Sequence, residues 1–177
     1  RHWLKTRTPG PEPVRIWSAA SASGEEAYSI AMLLFDQLGP YGWELLASDV
    51  NTRMLLRAER AIYPLERATQ IPEDYRRRFC LKGIGDWAGQ LRIEPGLRRR
   101  VRFEAINLHH ELPDRGLFDL VFLRNVLIYF GAEARLAALR RVTATLRPDG
   151  YLLIGHAESL SGLDQPLSAV RAAVYRK

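Results

Sequence analysis

The chain has 177 residues, 47% hydrophobic and 26% charged, an ordinary globular composition with enough apolar side chains for a core. Its apolar runs fall short of the roughly 20 residues that a transmembrane helix needs, and its start lacks the charged-then-apolar layout of a signal peptide, so a soluble cytoplasmic protein is expected. Cys80 is the only cysteine, which excludes an intramolecular disulfide and a thiolate metal cluster; the net charge of +6 suits acidic partners or a solvated basic face.

The segment Val14–Ser18 is β-prone and follows Pro9-Gly10-Pro11, which reads as a strand entered from a turn. Small residues at 19–24 follow, then Ala27, Ile30, Ala31, Leu34 and Leu38 at helical spacing, stopped by Gly39-Pro40. Ser23 and Glu26 have capping-box spacing. Residues 43–48 predict a second strand ending at Asp49, and Asn51 a cap for a helix carrying Met54, Leu55, Ala58 and Ile62 before Pro64. This β-α-β-α order predicts an α/β fold with a mostly parallel sheet and helices on both faces.

The alternation breaks down at 71–95, where Gly83, Gly85 and Gly89 interrupt short segments, and the reading is an inserted antiparallel subdomain at about 71–106. The runs Arg76-Arg77-Arg78 and Arg98-Arg99-Arg100 place much of the positive charge there. Residues 101–106 alternate like a strand closed by Asn107-Leu108; 117–123 is nearly continuous in apolar residues, as in a central strand, and ends at Arg124-Asn125. A helix is predicted at 132–146, then a turn at Pro148-Asp149-Gly150 into a strand at 151–155, and a last strand at 170–175.

In an open parallel sheet, ligands bind beyond the carboxyl ends of the strands. After the first strand comes Ser18-Ala19-Ala20-Ser21-Ala22-Ser23-Gly24-Glu25-Glu26, which lets a backbone approach a ligand closely but is not the G-x-G-x-x-G fingerprint. Two acids at a helix start oppose a pyrophosphate and suit a cationic ligand; as a bland alternative, Glu26 caps the helix and Glu25 is solvated. Asp49 follows Gly24 by about 25 residues, near the spacing at which doubly wound folds place an acid on a ribose diol. Asn107 and Asn125 end further strands and could offer amides to an adenine or a carboxylate, or close a turn. His109 and His110, read as strand neighbours, would point to opposite faces, which disfavours a shared metal. No metal site is expected.

Arg15-Ile16-Trp17-Ser18-Ala19-Ala20 with Gly24-Glu25-Glu26 and Tyr28-Ser29-Ile30-Ala31 resembles the first motif of CheR-type protein-glutamate methyltransferases. Ala47-Ser48-Asp49-Val50-Asn51-Thr52 resembles their second-strand ending, and Phe118-Asp119-Leu120 with Arg124-Asn125-Val126-Leu127-Ile128-Tyr129-Phe130 resembles another hallmark. So does Leu146-Arg147-Pro148-Asp149-Gly150-Tyr151-Leu152 with Gly155-His156-Ala157-Glu158-Ser159-Leu160, so that the likeness spans about residues 14–177 after a linker at 1–13. The resemblance implies a class I methyltransferase (Rossmann-like) fold holding S-adenosylmethionine, with S-adenosylhomocysteine as product. It implies Ala20, Gly24 and Glu26 at the methionine end, Asp49 on the ribose, Asn107 and Leu108 at the adenine, and Asn125, Val126 and Leu127 near the transferred methyl. Tyr129 would be the catalytic residue.

The implied substrate is a glutamate side chain of a chemoreceptor or related sensory protein, through which the enzyme could be recruited to membrane arrays. Ser21, Ala22, Ser23 and Ala27 replace the family's usual Cys, Ser, Thr and Pro. Residues 1–13 hold no Phe-Phe-Arg segment, which family members carry before the first strand; a catalytically impaired module that binds the donor or a signalling partner is therefore the alternative. The basic charge also motivates a nucleic-acid methyltransferase, but Asn125-Val126-Leu127-Ile128 stands where such enzymes carry Asn/Asp-Pro-Pro-aromatic, so no nucleic-acid partner and no membrane insertion are expected. The inserted subdomain resembles one that docks a receptor's C-terminal peptide in some members.

Overall fold

The computed structural model describes Leu4, residues 12–160 and residues 166–177. Apart from Leu4, Glu12 and Pro13, the expected linker at 1–13 lies outside the described residues. The chain alternates β1 (Val14–Ser18), α1 (Glu25–Leu38), β2 (Trp43–Asp49) and α2 (Thr52–Arg60), then enters a small unit. That unit contains β3 (Ile62–Pro64), α3 (Glu73–Phe79), β4 (Cys80–Lys82), β5 (Gln90–Ile93) and the short α4 (Pro95–Arg98). There follow β6 (Val101–Ala105), β7 (Phe118–Leu123), α5 (Ala132–Ala144), β8 (Leu146–Ile154), β9 (Ser168–Arg171) and β10 (Val174–Arg176).

The main sheet has the order β6-β2-β1-β7-β8-β10-β9. The first five strands pair in parallel, and β10 and β9 close the sheet antiparallel. Because side chains alternate along a strand, β1 feeds two cores: Val14 and Ile16 pack toward α1, whereas Trp17 joins α5. In β7, Leu120 and Phe122 lean to the first core and Val121 and Leu123 to the second. A mostly parallel sheet with helices on both faces is thus what forms. β3, β5 and β4 make a separate antiparallel sheet. It begins before residue 71, whereas Val101–Ala105 pairs with β2 in the main sheet.

Three local expectations are corrected. The first helix is entered through Gly24, at φ 91°, with no side-chain cap. Ser23 donates instead to Glu25 Oε2 at 2.6 Å. A Cβ at Gly24 would sit 2.8 Å from the Ala58 Cβ, so close packing of α2 excludes a side chain where the chain turns left-handed. Pro148-Asp149-Gly150 does not separate two elements: β8 runs through it, and the pairing with β7 shifts from Phe118–Leu146 to Leu120–Tyr151, with Asp149 at φ 64° absorbing the bulge. The expected last strand is a hairpin, broken at Ala172 and Ala173, with Ala173 at φ 60°.

The small unit is stitched to α1. Phe35 meets Phe79 at 5.5 Å between ring centroids, and Tyr75 meets Phe79 at 5.6 Å. Asp36 accepts from the Tyr75 hydroxyl at 2.9 Å and from Arg78 at 2.5 Å. Arg78, then Gln37 and Tyr75, hold the Asp36 carboxyl down to about 2. A lowered carboxyl pKa gives stability that is complete above the ordinary aspartate value of about 3.9 and lost as the pH falls through the lowered value. Asp36→Asn should therefore flatten the loss of thermal stability between about pH 4 and pH 2, read from melting curves across that range. In the other core, Leu139 is fully buried, and Leu139→Ala should cost about 2–5 kcal/mol in urea unfolding.

Candidate functional site

The neighbours β6, β2, β1 and β7 all run parallel, so their carboxyl ends share one edge of the sheet. Asn107 follows β6, Asp49 ends β2, Ala20 follows β1, and Asn125 follows β7. Residues far apart in sequence are thereby set in a row, joined by short backbone bonds. Ser21 donates its N–H to Ser48 O at 2.8 Å, Ala19 to Phe122 O at 2.8 Å, and Ile106 to Asp49 O at 3.2 Å.

Glu26 lies at the start of α1 with its side chain about one-quarter exposed. Its Oε1 accepts from the Ser18 hydroxyl at 2.9 Å, and its Oε2 is paired with Arg124 at 2.9 Å. A carboxylate has about four acceptor positions, so the two remaining can receive a cation. Glu25 faces the small unit, in an ion pair with Arg67 at 2.7 Å. Burial would raise its carboxyl pKa, but the bonds from Ser23, its own backbone and Arg67 outweigh that and hold it below the usual range.

Asp49 organises the loop between β1 and α1: its Oδ2 accepts the Ala22 N–H and its Oδ1 the Asn51 N–H, both at 2.9 Å. Asn51 then caps α2 as the sequence predicts, accepting from Arg53 and Met54. Asn107 accepts the His109 N–H through its side chain at 2.9 Å and the His110 N–H through its carbonyl at 3.1 Å. The two histidines consequently lie in a turn, not on a strand, and His109 stacks on Phe130 at 4.3 Å. Leu108 is buried, and its carbonyl is held by Arg141 at 3.1 Å. Tyr129 ends a single 3-10 turn and is 79% exposed.

Glu158, given no role by the sequence reading beyond its place in a motif, fixes the β7 end. Its Oε2 accepts the N–H groups of Gly155 at 2.6 Å and Asn125 at 3.0 Å; its Oε1 accepts those of Val126 at 3.1 Å and Leu127 at 2.8 Å. This holds Asn125 at φ 56°. A Cβ on Gly155 would approach Asn125 Oδ1 to 2.5 Å and Glu158 Oε2 to 2.8 Å. A side chain there would displace the Asn125 amide and the Glu158 carboxylate and so disturb this arrangement. Tyr63 was also missed: its hydroxyl donates to Ser23 O at 2.7 Å, tying the small sheet to the β1–α1 loop, and burial pushes its phenol pKa upward. The signal for Glu158 was its fixed place three residues after a strand-ending glycine; nothing in the sequence pointed to Tyr63.

Asp49, Asn107 and Asn125 do not line the cavity of about 540 Å3 that Glu26 shares with Arg124. What the structure brings together is the row of strand ends. The residues in that row suit an S-adenosylmethionine-like ligand chemically: a carboxylate for an ammonium, another for a diol, amides for a base, and the buried Ser21 hydroxyl, which has no hydrogen-bond partner.

Sheet order and site define the class I S-adenosylmethionine-dependent methyltransferase fold. A proposed O-methyltransferase of Nostoc punctiforme superposes with a TM-score of 0.51 at 16% identity, covering 86% of this chain and 34% of that one. Residues 3–176 match the family model described as CheR methyltransferase, SAM binding domain, and the chain belongs to that family. It is 40% identical over 166 residues to "Chemotaxis protein methyltransferase 2" of Pseudomonas aeruginosa, covering 92% of this chain and 59% of that protein. It is 39% identical over 166 residues to the "Chemotaxis protein methyltransferase" of Salmonella typhimurium, covering 91% and 57%. The chain thus spans somewhat over half the length of the curated relatives it matches.

Glu158→Ala strips one acceptor from four amides, and Glu158→Gln turns an NH2 group toward two of them. Both should cost about 2–4 kcal/mol in unfolding and weaken S-adenosylhomocysteine binding by about tenfold or more in calorimetry, with the glutamine variant no better than alanine.

Proposed function

We propose that the protein containing this domain transfers a methyl group from S-adenosylmethionine to glutamate carboxylates of a chemoreceptor or related sensory protein. It would act in the cytoplasm and reach membrane receptor arrays through that partner. The reading is carried by one observation: in a family defined by S-adenosylmethionine binding, Glu26, Asp49, Asn107 and Asn125 stand on four adjacent strand ends or the helix that follows. The chemotaxis methyltransferase names of the relatives support the choice of substrate.

The bound donor supplies an electrophilic methyl group on a sulfonium. In the proposed arrangement Glu26 pairs with the ammonium, beside Ala20 and Gly24, Asp49 takes the ribose hydroxyls, Asn107 and Leu108 flank the adenine, and Asn125, Val126 and Leu127 border the methyl. A substrate glutamate, with an ordinary pKa of about 4.3, is ionised at neutral pH and needs no general base. Its oxygen forms the new O–C bond as the S–C bond breaks, and the bonding pair stays on sulfur. An anion and a cation become a neutral ester and a neutral thioether. The protein's work is to align oxygen, methyl and sulfur and to exclude water, and Tyr129, beside the β7 end, is the side chain assigned to face the reaction.

In the full-length protein, Asp49→Ala should weaken S-adenosylhomocysteine binding by about a hundredfold or more, for two lost hydrogen bonds to a charged acceptor. Calorimetry reads the affinity, and a melting curve checks the loop that Asp49 also holds. Donor-derived methyl should appear on receptor glutamates as a base-labile ester; folded protein that neither binds the product nor labels the receptor refutes the reading.

A further inference from the structure

The carboxyl ends of β7 and β8 meet the β9–β10 turn around a cavity of about 470 Å3 with an apolar floor that includes Phe122, Leu153 and Val174. Its polar lining has one character: Arg124, His156 and Arg171 border it, and no carboxylate does. Arg171 and His156 are exposed. Among the described residues the Arg171 guanidinium has no hydrogen-bond or ion-pair partner, as is also true of the exposed Arg53 and Arg92, whereas Arg124 beside it is paired with Glu26. The larger cavity that reaches Glu26 shares Arg124 and Arg171 with this one. The basic pocket therefore adjoins the end of the sheet assigned to the methyl, on the side away from Asp49 and Asn107.

We propose that this pocket is the acceptor subsite, taking carboxylate-bearing side chains of a glutamate-rich polypeptide segment, with Arg171 as its charge-reading residue. This rests on the methyl-transfer reading above. An acidic segment drawn over an apolar floor loses hydration, so cations along its path are required. A guanidinium that gripped both oxygens of the reacting carboxylate would blunt its attack. Arg124 is already committed to Glu26, and Arg171, on the edge strand β9, engages carboxylates that neighbour the reacting one, drawing an acidic segment across the strand ends. Nucleic acid would meet the same charges, but the single pocket with a Phe-Leu-Val floor fits a side chain better than a phosphate backbone.

The test uses the full-length protein and a receptor fragment that the wild type methylates. Arg171→Glu should raise the KM for the fragment by about tenfold or more, with kcat and the affinity for S-adenosylhomocysteine within about threefold of wild type. Arg171→Lys should keep most of the wild-type KM, and the gap between wild type and Arg171→Glu should narrow at high salt. Arg171→Ala, with a melting curve, guards against misfolding of the charge-reversed variant. An unchanged KM in Arg171→Glu with an active wild type overturns the subsite and leaves the methyl-transfer reading intact. Loss of duplex-DNA binding in Arg171→Glu with no effect on the fragment's KM also overturns it. A wild type that neither binds S-adenosylhomocysteine nor methylates the fragment sinks both readings.

Discussion

Parallel pairing of β6, β2, β1 and β7 is the constraint on which the site depends. In a parallel sheet every chain segment must return to the starting edge before the next strand begins, so all carboxyl ends, and the loops leaving them, gather on one side. Glu26, Asp49, Asn107 and Asn125 are brought into a row by that rule. The side chains then refine the row: Asp49 and Glu158 spend their carboxylate oxygens on backbone N–H groups of neighbouring loops, fixing main chain where no regular hydrogen-bond ladder exists.

Charge is arranged in two halves about the β7 end. On the β1 and β2 side stand Glu26 and Asp49, suited to a cationic nucleoside derivative; at the β7 end stands Arg124 and beyond it His156 and Arg171, suited to an anion, while the Glu158 carboxylate there is spent on backbone N–H groups. The Glu26–Arg124 pair sits at the junction. The proposed methyl transfer from a sulfonium to a carboxylate would join a cation to an anion, and a site with opposite charges on its two flanks would hold both reactants without forcing like charges together.

Much of this was legible in the chain. Periodicity located β1, α1, β2, α2, β6, β7 and α5 within a few residues but not the elements of the small unit, where the alternation breaks down; the strand-ending polar residues stood out because a polar residue after an apolar run has few other uses. Two of the misread features share one cause. Ser23 has the spacing of a cap, but the helix is entered left-handed at Gly24, where the close approach of Ala58 leaves no room for a side chain. Pro148-Asp149-Gly150 has turn chemistry, but pairing with β7 carries the strand through it as a bulge. In each case a long-range contact overruled a local preference worth only about 1 kcal/mol.

The sequence by itself determined the α/β class, the order of the main-sheet elements up to β8 and the family, because hydrophobic period and motif spacing are local or ordered along the chain. Tertiary structure alone decided that Tyr63 of the small sheet would hold the Ser23 carbonyl, that Glu158 would collect four amides, and that Arg171 would share a pocket with Arg124. Apart from the Glu158–Gly155 bond, which spans three residues, those pairings join residues 40, 31 to 33 and 47 positions apart, a separation that no short-range pattern encodes. They arise when sheet order and packing fix which loops become neighbours.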